Sequence, residues 1–241
     1  MAFLMALLLI IYFMDINQSL FLRLNHAAQF MPITWWGYIT YLGDGMAVGC
    51  ILAVVYRKDP KIALVGIIAV LTSGIIVQLL KSYFSISRPA GILNLDEFYL
   101  FGDILKSRGF PSGHSSTAFS LLGTFFYICV NNKQGWLFFS AALLIAFSRV
   151  AIGIHWPADI IAGSMIGLAA IYLTSIKLKT YTPGYKAELS SGIFLLLICI
   201  GILFYNPRMP DIQMLQWFLG LGGMTCIFSR FYSINKNREK I

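Results

Sequence analysis

The chain has 241 residues, of which 58% are hydrophobic and 12% are charged, with a formal net charge of +8. A soluble domain carries about twice that charged fraction, and the apolar residues come in long blocks without the alternation typical of barrel strands. The composition therefore predicts an all-α polytopic membrane protein, and bases confined to short loops favour a bilayer rather than nucleic acid as the partner.

The first segment, residues 1–14, is apolar and predicts a short membrane helix of about 21 Å, against a hydrocarbon core of about 30 Å. It lacks a basic n-region and a small-residue cleavage site, which argues against a cleaved signal peptide. Residues 15–31 have apolar side chains at helical spacing and polar ones elsewhere, which predicts an amphipathic helix in the interface. We expect His26 in this segment to be solvated, the alternative being a contact with a substrate headgroup.

The second predicted span covers residues 35–56 and the third covers residues 62–84. Asp44 interrupts the second span, and we expect it to cap a helix break or to pair with a base rather than to face a site. Two G-x-x-x-G patterns are expected to permit close packing within the protein; they are Gly45 with Gly49 and Gly163 with Gly167.

Residues 90–110 form the longest polar connection, and a loop of this length is often functional. We expect it to roof a site, with solvated acidic residues rather than a metal centre at Asp96, Glu97 and Asp103. The remaining predicted spans cover residues 112–130, 136–154, 156–176, 189–205 and 214–231. The four cysteines lie inside apolar segments and are expected to be small buried side chains; they are Cys50, Cys129, Cys199 and Cys226.

Eight alternating spans with the N-terminus inside give an excess of basic residues on the inside, as the positive-inside rule requires. The inside bases are Arg57, Lys58, Lys61, Lys133, Lys177, Lys179, Lys186, Arg230, Lys236, Arg238 and Lys240. The outside bases are Arg23, Lys81, Arg88, Lys106, Arg108, Arg149 and Arg208. This orientation predicts that the ionisable residues described next face outward together.

The stretch from Ser148 to Asp159 places Arg149, His155 and a carboxylate between two apolar segments, where ionisable groups usually mark a functional site. His155 and Asp159 are four residues apart, which on a helix places them on one face. A carboxylate there can hold one imidazole nitrogen as N–H and leave the other as a nucleophile or base. Pro157 is compatible with the first turn of a helix.

Two further clusters complete a predicted phosphate site. Lys81 and Arg88 end the third span and share a face if its helix persists, and with Arg149 they supply cations for phosphate oxygens. Ser112 and Gly113 precede His114 at the start of the fourth span, where free backbone N–H groups favour an anion. The structural alternatives are interfacial snorkelling of the bases and aromatic-belt packing of the two histidines.

These clusters read K-x6-R-P, P-S-G-H and S-R-x5-H-x3-D, and in that order they resemble the type 2 phosphatidic acid phosphatase (PAP2) family. The motifs run from Lys81 to Asp159, about a third of the chain. The resemblance implies a bundle of about six transmembrane helices and a phosphohistidine formed on His155. It also implies that Asp159 orients His155, that His114 acts as acid and then base, and that no metal or cofactor takes part.

We therefore expect residues 1–186 to form a catalytic core, and residues 187–241 to add two transmembrane helices and a basic cytoplasmic tail. The resemblance implies a phosphatase of the inner membrane with its site facing the periplasm. Its permitted substrates are undecaprenyl pyrophosphate, phosphatidylglycerol phosphate, phosphatidic acid and lipid A phosphates, with the first two slightly favoured over lipid A. A lipid phosphotransferase and a non-enzymatic lipid transporter are the rival hypotheses, and the sequence predicts no oligomeric state.

Overall fold

The computed structural model describes residues 1–128, 132–206 and 211–238, and every regular element in those ranges is helical. The ten α-helices are α1 (Ala2–Phe13), α2 (Asn17–Ala27), α3 (Ile33–Tyr41), α4 (Gly45–Lys58), α5 (Pro60–Phe84), α6 (Gly113–Ile128), α7 (Asn132–Ala151), α8 (Pro157–Lys177), α9 (Tyr185–Gly201) and α10 (Gln213–Arg238). Short 3₁₀ turns follow α2 at Ala28–Phe30 and precede the long connection at Pro89–Gly91.

Three of these helices, α5, α7 and α8, are long and apolar enough to cross a membrane. The pair α3 and α4, bent by 56°, would count as a fourth, broken span. The all-helical membrane class is therefore confirmed, whereas the predicted count of six plus two spans is not. Among the described residues, α1 and α9 are too short to count as spans, with 12 and 17 residues. Helix α10 has 26 residues, so its length is sufficient, but it is not among the candidate spans, which also require high mean hydropathy and few charges.

The second predicted span is interrupted where Asp44 was expected to act. The side chain of Asp44 accepts a hydrogen bond of 2.8 Å from the backbone N–H of Met46 and caps the N-terminus of α4. Capping of this kind satisfies a donor that the first helical turn leaves free. The prediction of a capped break within the span of residues 35–56 is thus confirmed.

Helices α6 and α8 approach so closely that their backbones nearly touch. A Cβ atom on Gly163 would lie 2.2 Å from the carbonyl oxygen of Ser112, and one on Gly167 would lie 2.3 Å from that of Ser116. The predicted packing role of this glycine pair is confirmed. Of the other pair, Gly49 packs against Ile198 of α9, whereas Gly45 has open space where its Cβ would be.

One end of the bundle is covered by α2 and by the 90–110 connection. Phe21 of α2 and Phe98 of the connection are buried with Trp156, and the rings of Phe21 and Trp156 meet edge to face at 5.1 Å. His26 is exposed, as predicted, and its Nε2 lies 2.9 Å from the carbonyl oxygen of Glu97. The acidic residues of the connection are also exposed as predicted; they are Asp96, Glu97 and Asp103.

The cysteines follow the prediction within the described ranges. Cys50 and Cys199 are buried thiols, and Cys226 is half-buried. The fourth, Cys129, lies outside the described residues, as do Arg208 and Lys240 of the orientation argument. The division into residues 1–186 and 187–241 stays a prediction.

We expect Gly167→Ala to lower the thermal unfolding temperature of the purified protein. The new Cβ would overlap the carbonyl oxygen of Ser116, and overpacking of this kind costs about 1–3 kcal/mol. Gly74→Ala in α5 is the matched control, because its Cβ meets nothing within 4 Å and alanine favours a helix by about 1 kcal/mol. Equal melting temperatures for the two variants would contradict the packing argument.

Candidate active site

The turn between α7 and α8 carries His155 and has a fixed backbone. The carbonyl oxygen of Arg149 accepts from the N–H groups of Ile154 and His155 at 3.1 and 3.2 Å. Gly153 adopts φ +78°, and a Cβ there would lie 2.3 Å from the carbonyl oxygen of Tyr99. Only glycine fits this combination of left-handed backbone and close approach, so the turn holds His155 in one place.

His155 and Asp159 form a buried pair, with Nδ1 and Oδ2 3.0 Å apart and side chains only 2% exposed. The spacing predicted that the two residues share one face of a helix. They do not, because α8 begins at Pro157 and His155 lies before it. Instead Asp159, the third residue of the helix, reaches back over the N-terminus and also accepts from the N–H of Trp156 at 3.0 Å. A carboxylate on Nδ1 favours the tautomer whose Nε2 carries a free lone pair.

Arg88 lies directly against that nitrogen. Its Nη1 is 3.2 Å from Nε2 of His155, and its Nε donates to the carbonyl oxygen of Ser107 at 2.9 Å. Helix α5 ends at Phe84, so Arg88 and Lys81 do not share a helical face. They meet because Lys81 Nζ and Arg88 Nη2 both donate to the carbonyl oxygen of Arg108, at 2.8 and 3.3 Å.

Residues 107–109 therefore form the side of the 90–110 connection that faces the site, and their backbone carbonyls point toward Lys81 and Arg88. Gly109 allows this approach, since a Cβ there would lie 3.1 Å from Cγ of Arg88 and 3.3 Å from Oδ2 of Asp159. The predicted roofing role of the 90–110 connection follows from these contacts.

Arg149 reaches the site from the last turn of α7 and is 4% exposed. Its Nη1 donates to the hydroxyl of Thr40 at 2.7 Å, while its Nε is buried without a hydrogen-bond partner. His114, half-buried in the first turn of α6, interacts electrostatically with His155 and with all three cations. The structure thus brings the two histidines, Asp159 and the three bases together at one end of the bundle.

Ser112 connects the start of α6 to α8 through its backbone N–H. It is fully buried, its N–H donates to the carbonyl oxygen of Asp159 at 2.9 Å, and its hydroxyl accepts from that of Ser115 at 2.9 Å. That N–H is occupied, so it does not act as the free donor that was predicted for an anion. Gly113 has more room, since a Cβ there would meet only Val77 at 3.8 Å.

Two asparagines of α2 support the site, although sequence reasoning placed both on a solvated face. Asn25 is fully buried; its Nδ2 contacts the carbonyl oxygens of Tyr99, Val150 and Ala151 at 3.0–3.1 Å, and its Oδ1 accepts from the N–H of Tyr99. Asn17 accepts from the N–H of Ala158 in the first turn of α8 at 3.1 Å. No periodicity in a single sequence distinguishes such buried asparagines from exposed ones.

Two cavities adjoin these residues. A polar one of about 460 Å³ opens outward and is lined by bases of the motifs and of the roof, namely Lys81, Arg88, Lys106 and Arg108. A mostly apolar one of about 560 Å³ lies between α1 and the 84–92 segment, and it is bordered by Phe84, Phe110, Trp156 and Asp159.

The charge balance at His155 favours its neutral form. Burial lowers the pKa of His155 well below its usual range, and the charges of Arg88, Arg149 and Lys81 lower it further. A neutral imidazole has the lone pair that a nucleophile or base requires.

In the three described ranges, no group of three or more His, Cys, Asp and Glu side chains is placed to hold a metal ion. The metal-free and cofactor-free site stays a prediction.

Known proteins are similar to this chain in sequence and in fold. The sequence model of the PAP2 superfamily matches residues 62–182, which include all the predicted site residues. An undecaprenyl-diphosphatase of Sulfolobus acidocaldarius is 26% identical over 57% of this chain, and the match spans 65% of that protein, just under two thirds. A lipid A 4'-phosphatase of Porphyromonas gingivalis is 28% identical over 75% of this chain and 84% of its own length. The crystal structure of LpxE from Aquifex aeolicus, 26% identical, superimposes with a TM-score of 0.57 over 66% of this chain and 94% of that one.

We expect NMR of ring-labelled histidine to show His155 taking up a proton only below the ordinary pKa of about 6.5. The Arg88→Gln variant loses one positive charge that disfavours the protonated imidazole, so the pKa of His155 should move upward. The unfolded chain binds this proton at higher pH than the folded chain does, so the corresponding stability is present above that ordinary pKa and is lost as the pH falls. A downward shift in Arg88→Gln would contradict this electrostatic account.

Proposed function

Because this chain belongs to the PAP2 superfamily, we propose that it is a membrane lipid phosphatase that works through a phosphohistidine intermediate. The observation that carries the proposal is the setting of His155. Its Nδ1 is held by Asp159 at 3.0 Å and its Nε2 lies 3.2 Å from a guanidinium nitrogen. A nucleophile directed at a cationic anion site is the arrangement that phosphoryl transfer requires.

In the first step, Nε2 of His155 attacks phosphorus, and the bond between phosphorus and the lipid oxygen breaks. The departing oxygen keeps the electron pair and takes a proton from the imidazolium of His114. Lys81, Arg88 and Arg149 stabilise the charge on the transferring group, and the bound phosphate in turn offsets their charges and favours protonation of His114.

In the second step, neutral His114 takes a proton from water while the water oxygen attacks phosphorus. The bond between phosphorus and Nε2 breaks, inorganic phosphate leaves, and His155 returns to its neutral form. Asp159 keeps the ring in one orientation through both steps by holding Nδ1–H. The cations supply the charge stabilisation, so the mechanism requires no metal ion.

The substrate class that suits the site is a phosphorylated envelope lipid. The polar cavity beside Arg88 accommodates a phosphate, and the apolar cavity beside Asp159 accommodates hydrocarbon. Undecaprenyl pyrophosphate and phosphatidylglycerol phosphate remain slightly favoured over lipid A phosphates, and phosphatidic acid is a further member of the class. The names of the two curated relatives support a diphosphorylated polyprenol and lipid A as members of this class.

We further propose that the protein lies in the inner membrane with this site toward the periplasm. The distribution of loop bases supports that orientation through the positive-inside rule. The site itself lies where α5, α6, α7 and α8 end or begin, so one leaflet supplies its substrate.

The proposal is tested by release of phosphate from lipid labelled with ³²P, together with acid-quench trapping of the labelled protein. We expect His155→Ala to lose phosphate release by roughly 10⁴-fold or more and to lose the trapped label. His114→Ala should slow turnover severely. Vanadate should inhibit, and chelators should not.

His26→Ala is the matched control, because His26 is exposed on α2, and it should keep wild-type turnover. Adding an acceptor lipid distinguishes a phosphatase from a phosphotransferase. A phosphotransferase would move the labelled phosphoryl group to the acceptor lipid without releasing free phosphate. Lipid recovered unchanged, with no label on the protein, would instead indicate a transporter.

The outer cavity supports a narrower substrate prediction. The outer cavity is lined by Lys106 and Arg108 in addition to the motif bases, and the side chain of Arg108 is held by a 2.7 Å hydrogen bond from its Nη2 to the hydroxyl of Ser82. We expect Arg108→Gln to raise the KM for a polyprenyl diphosphate about tenfold, the value of one charge-assisted bond, and to change the monophosphate far less.

Arg23→Gln, at an exposed arginine of α2, is the control for a general loss of surface charge. An equal rise in KM for both substrates would show that Arg108 does not contact a second phosphate.

A further inference from the structure

Arg149 depends on a residue outside the three motifs. Its guanidinium is buried, and its Nη1 donates a hydrogen bond of 2.7 Å to the hydroxyl oxygen of Thr40 in the last turn of α3. Thr40 is fully buried as well. A buried cation without such partners is costly, so the hydroxyl of Thr40 both satisfies and orients this side chain.

The anchoring leaves one edge of the guanidinium available. Nε of Arg149 is buried and has no hydrogen-bond partner in the described structure. Buried donors without a partner are rare and call for an explanation. A phosphate oxygen would satisfy this donor, and arginine commonly binds phosphate through two such N–H groups.

The same segment contacts the other side of the site. The carbonyl oxygen of Gly43, in the break between α3 and α4, accepts from the hydroxyl of Thr117 in α6. A Cβ on Gly43 would lie 3.0 Å from the carbonyl oxygen and 3.3 Å from Cβ of His114. The break therefore packs on the helical turn that presents His114, while Thr40 holds Arg149.

Asp44 adds a charge to this arrangement. It caps α4, and its carboxylate and the guanidinium of Arg149 attract each other electrostatically. The hydroxyl of Tyr205, just after α9, reaches the other carboxylate oxygen at 3.4 Å, and Tyr38 of α3 donates to the carbonyl oxygen of Asp211, just before α10, at 2.8 Å. Residues just after α9 and just before α10 thus contact Asp44 of the break and Tyr38 of α3.

We infer that the last turn of α3 and the break that follows it, residues 40–44, form a positioning element for the phosphoryl site. Thr40 orients Arg149 toward the phosphate, Asp44 offsets part of the charge of Arg149 while the site is empty, and Tyr205 contacts Asp44 from the segment after α9. This inference rests on the proposed function for its chemistry. Binding of an anion tests it without any turnover.

The first test compares Thr40→Val, which removes the hydroxyl, with Thr40→Ser, which keeps it. We expect Thr40→Val to lower kcat/KM about 10- to 100-fold, as misplacement of a catalytic group does, and to weaken inhibition by vanadate in parallel. Thr40→Ser should recover both values to within about threefold of the wild type, because the anchoring oxygen of the side chain is restored.

Thr225→Val in α10 is the matched control, since that threonine is exposed and bonds only within its own helix, to Leu221. A merely structural role of Thr40 would change the melting temperature and leave the inhibition constant of vanadate as it is in the wild type. That outcome, or a serine variant as impaired as the valine variant, would overturn the inference.

The second test predicts tighter anion binding, whereas the first predicts weaker binding. Asp44→Asn keeps a side chain that caps helices well but removes a negative charge beside Arg149. We expect inorganic phosphate, titrated by ³¹P NMR or calorimetry, to bind about three- to tenfold more tightly. Unchanged or weaker binding would overturn the role of Asp44, and this arm decides the inference if Thr40→Val does not fold.

The two failures are distinguishable. If the wild-type protein binds phosphate with this dependence on Thr40 and Asp44 but hydrolyses no lipid phosphate, then only the proposed function has failed. If it hydrolyses lipid phosphates and neither variant changes anion binding, then only this inference has failed.

Discussion

The carboxylate of Asp159 and its backbone carbonyl hold the site together. One carboxylate oxygen accepts from Nδ1 of His155 and from the N–H of Trp156. The carbonyl oxygen of the same residue accepts from Ser112 at the start of α6. A single residue therefore fixes the orientation of the imidazole, completes the first turn of α8 and joins the two helices that present the histidines. Removing an interaction shared in this way affects several elements together, which is why its parts do not contribute additively.

The second constraint is an excess of positive charge in a buried place. Lys81, Arg88 and Arg149 are 4–9% exposed; the anionic neighbour of Lys81 and Arg88 is Asp159, and that of Arg149 is Asp44. Backbone carbonyls of residues 107–109 accept hydrogen bonds from Lys81 and Arg88 without neutralising their charges. Such a site attracts an anion strongly because little reorganisation is required when it arrives. The roof is in this sense part of the site and not a cover over it, since its main chain sets the positions of two of the three bases.

The sequence predicted which charged and imidazole side chains lie together better than it predicted the contacts that hold them there. Charged and imidazole side chains between apolar blocks are costly at membrane depth, so Lys81, Arg88, Arg149, His155 and Asp159 could be identified from composition and order. The capped break at Asp44 could be identified for the same reason. Thr40, Asn17 and Asn25 could not, because a neutral polar side chain on a helix gives no sign of whether it is buried. The number of spans could not be predicted from the sequence either, since hydropathy does not reveal where a helix ends or bends.

The contact between α6 and α8 has a consequence for how the site responds to its substrate. Gly163 and Gly167 leave the two backbones without an intervening layer of side chains. Packed elements of this kind move as a rigid body, because they lack the rotamer freedom that lets helices slide past one another. We therefore expect α6 and α8 to keep a nearly constant separation whatever ligand the site takes. A motion that admits a ligand is expected in the outer elements, α2 and the 90–110 connection, and not between these two helices.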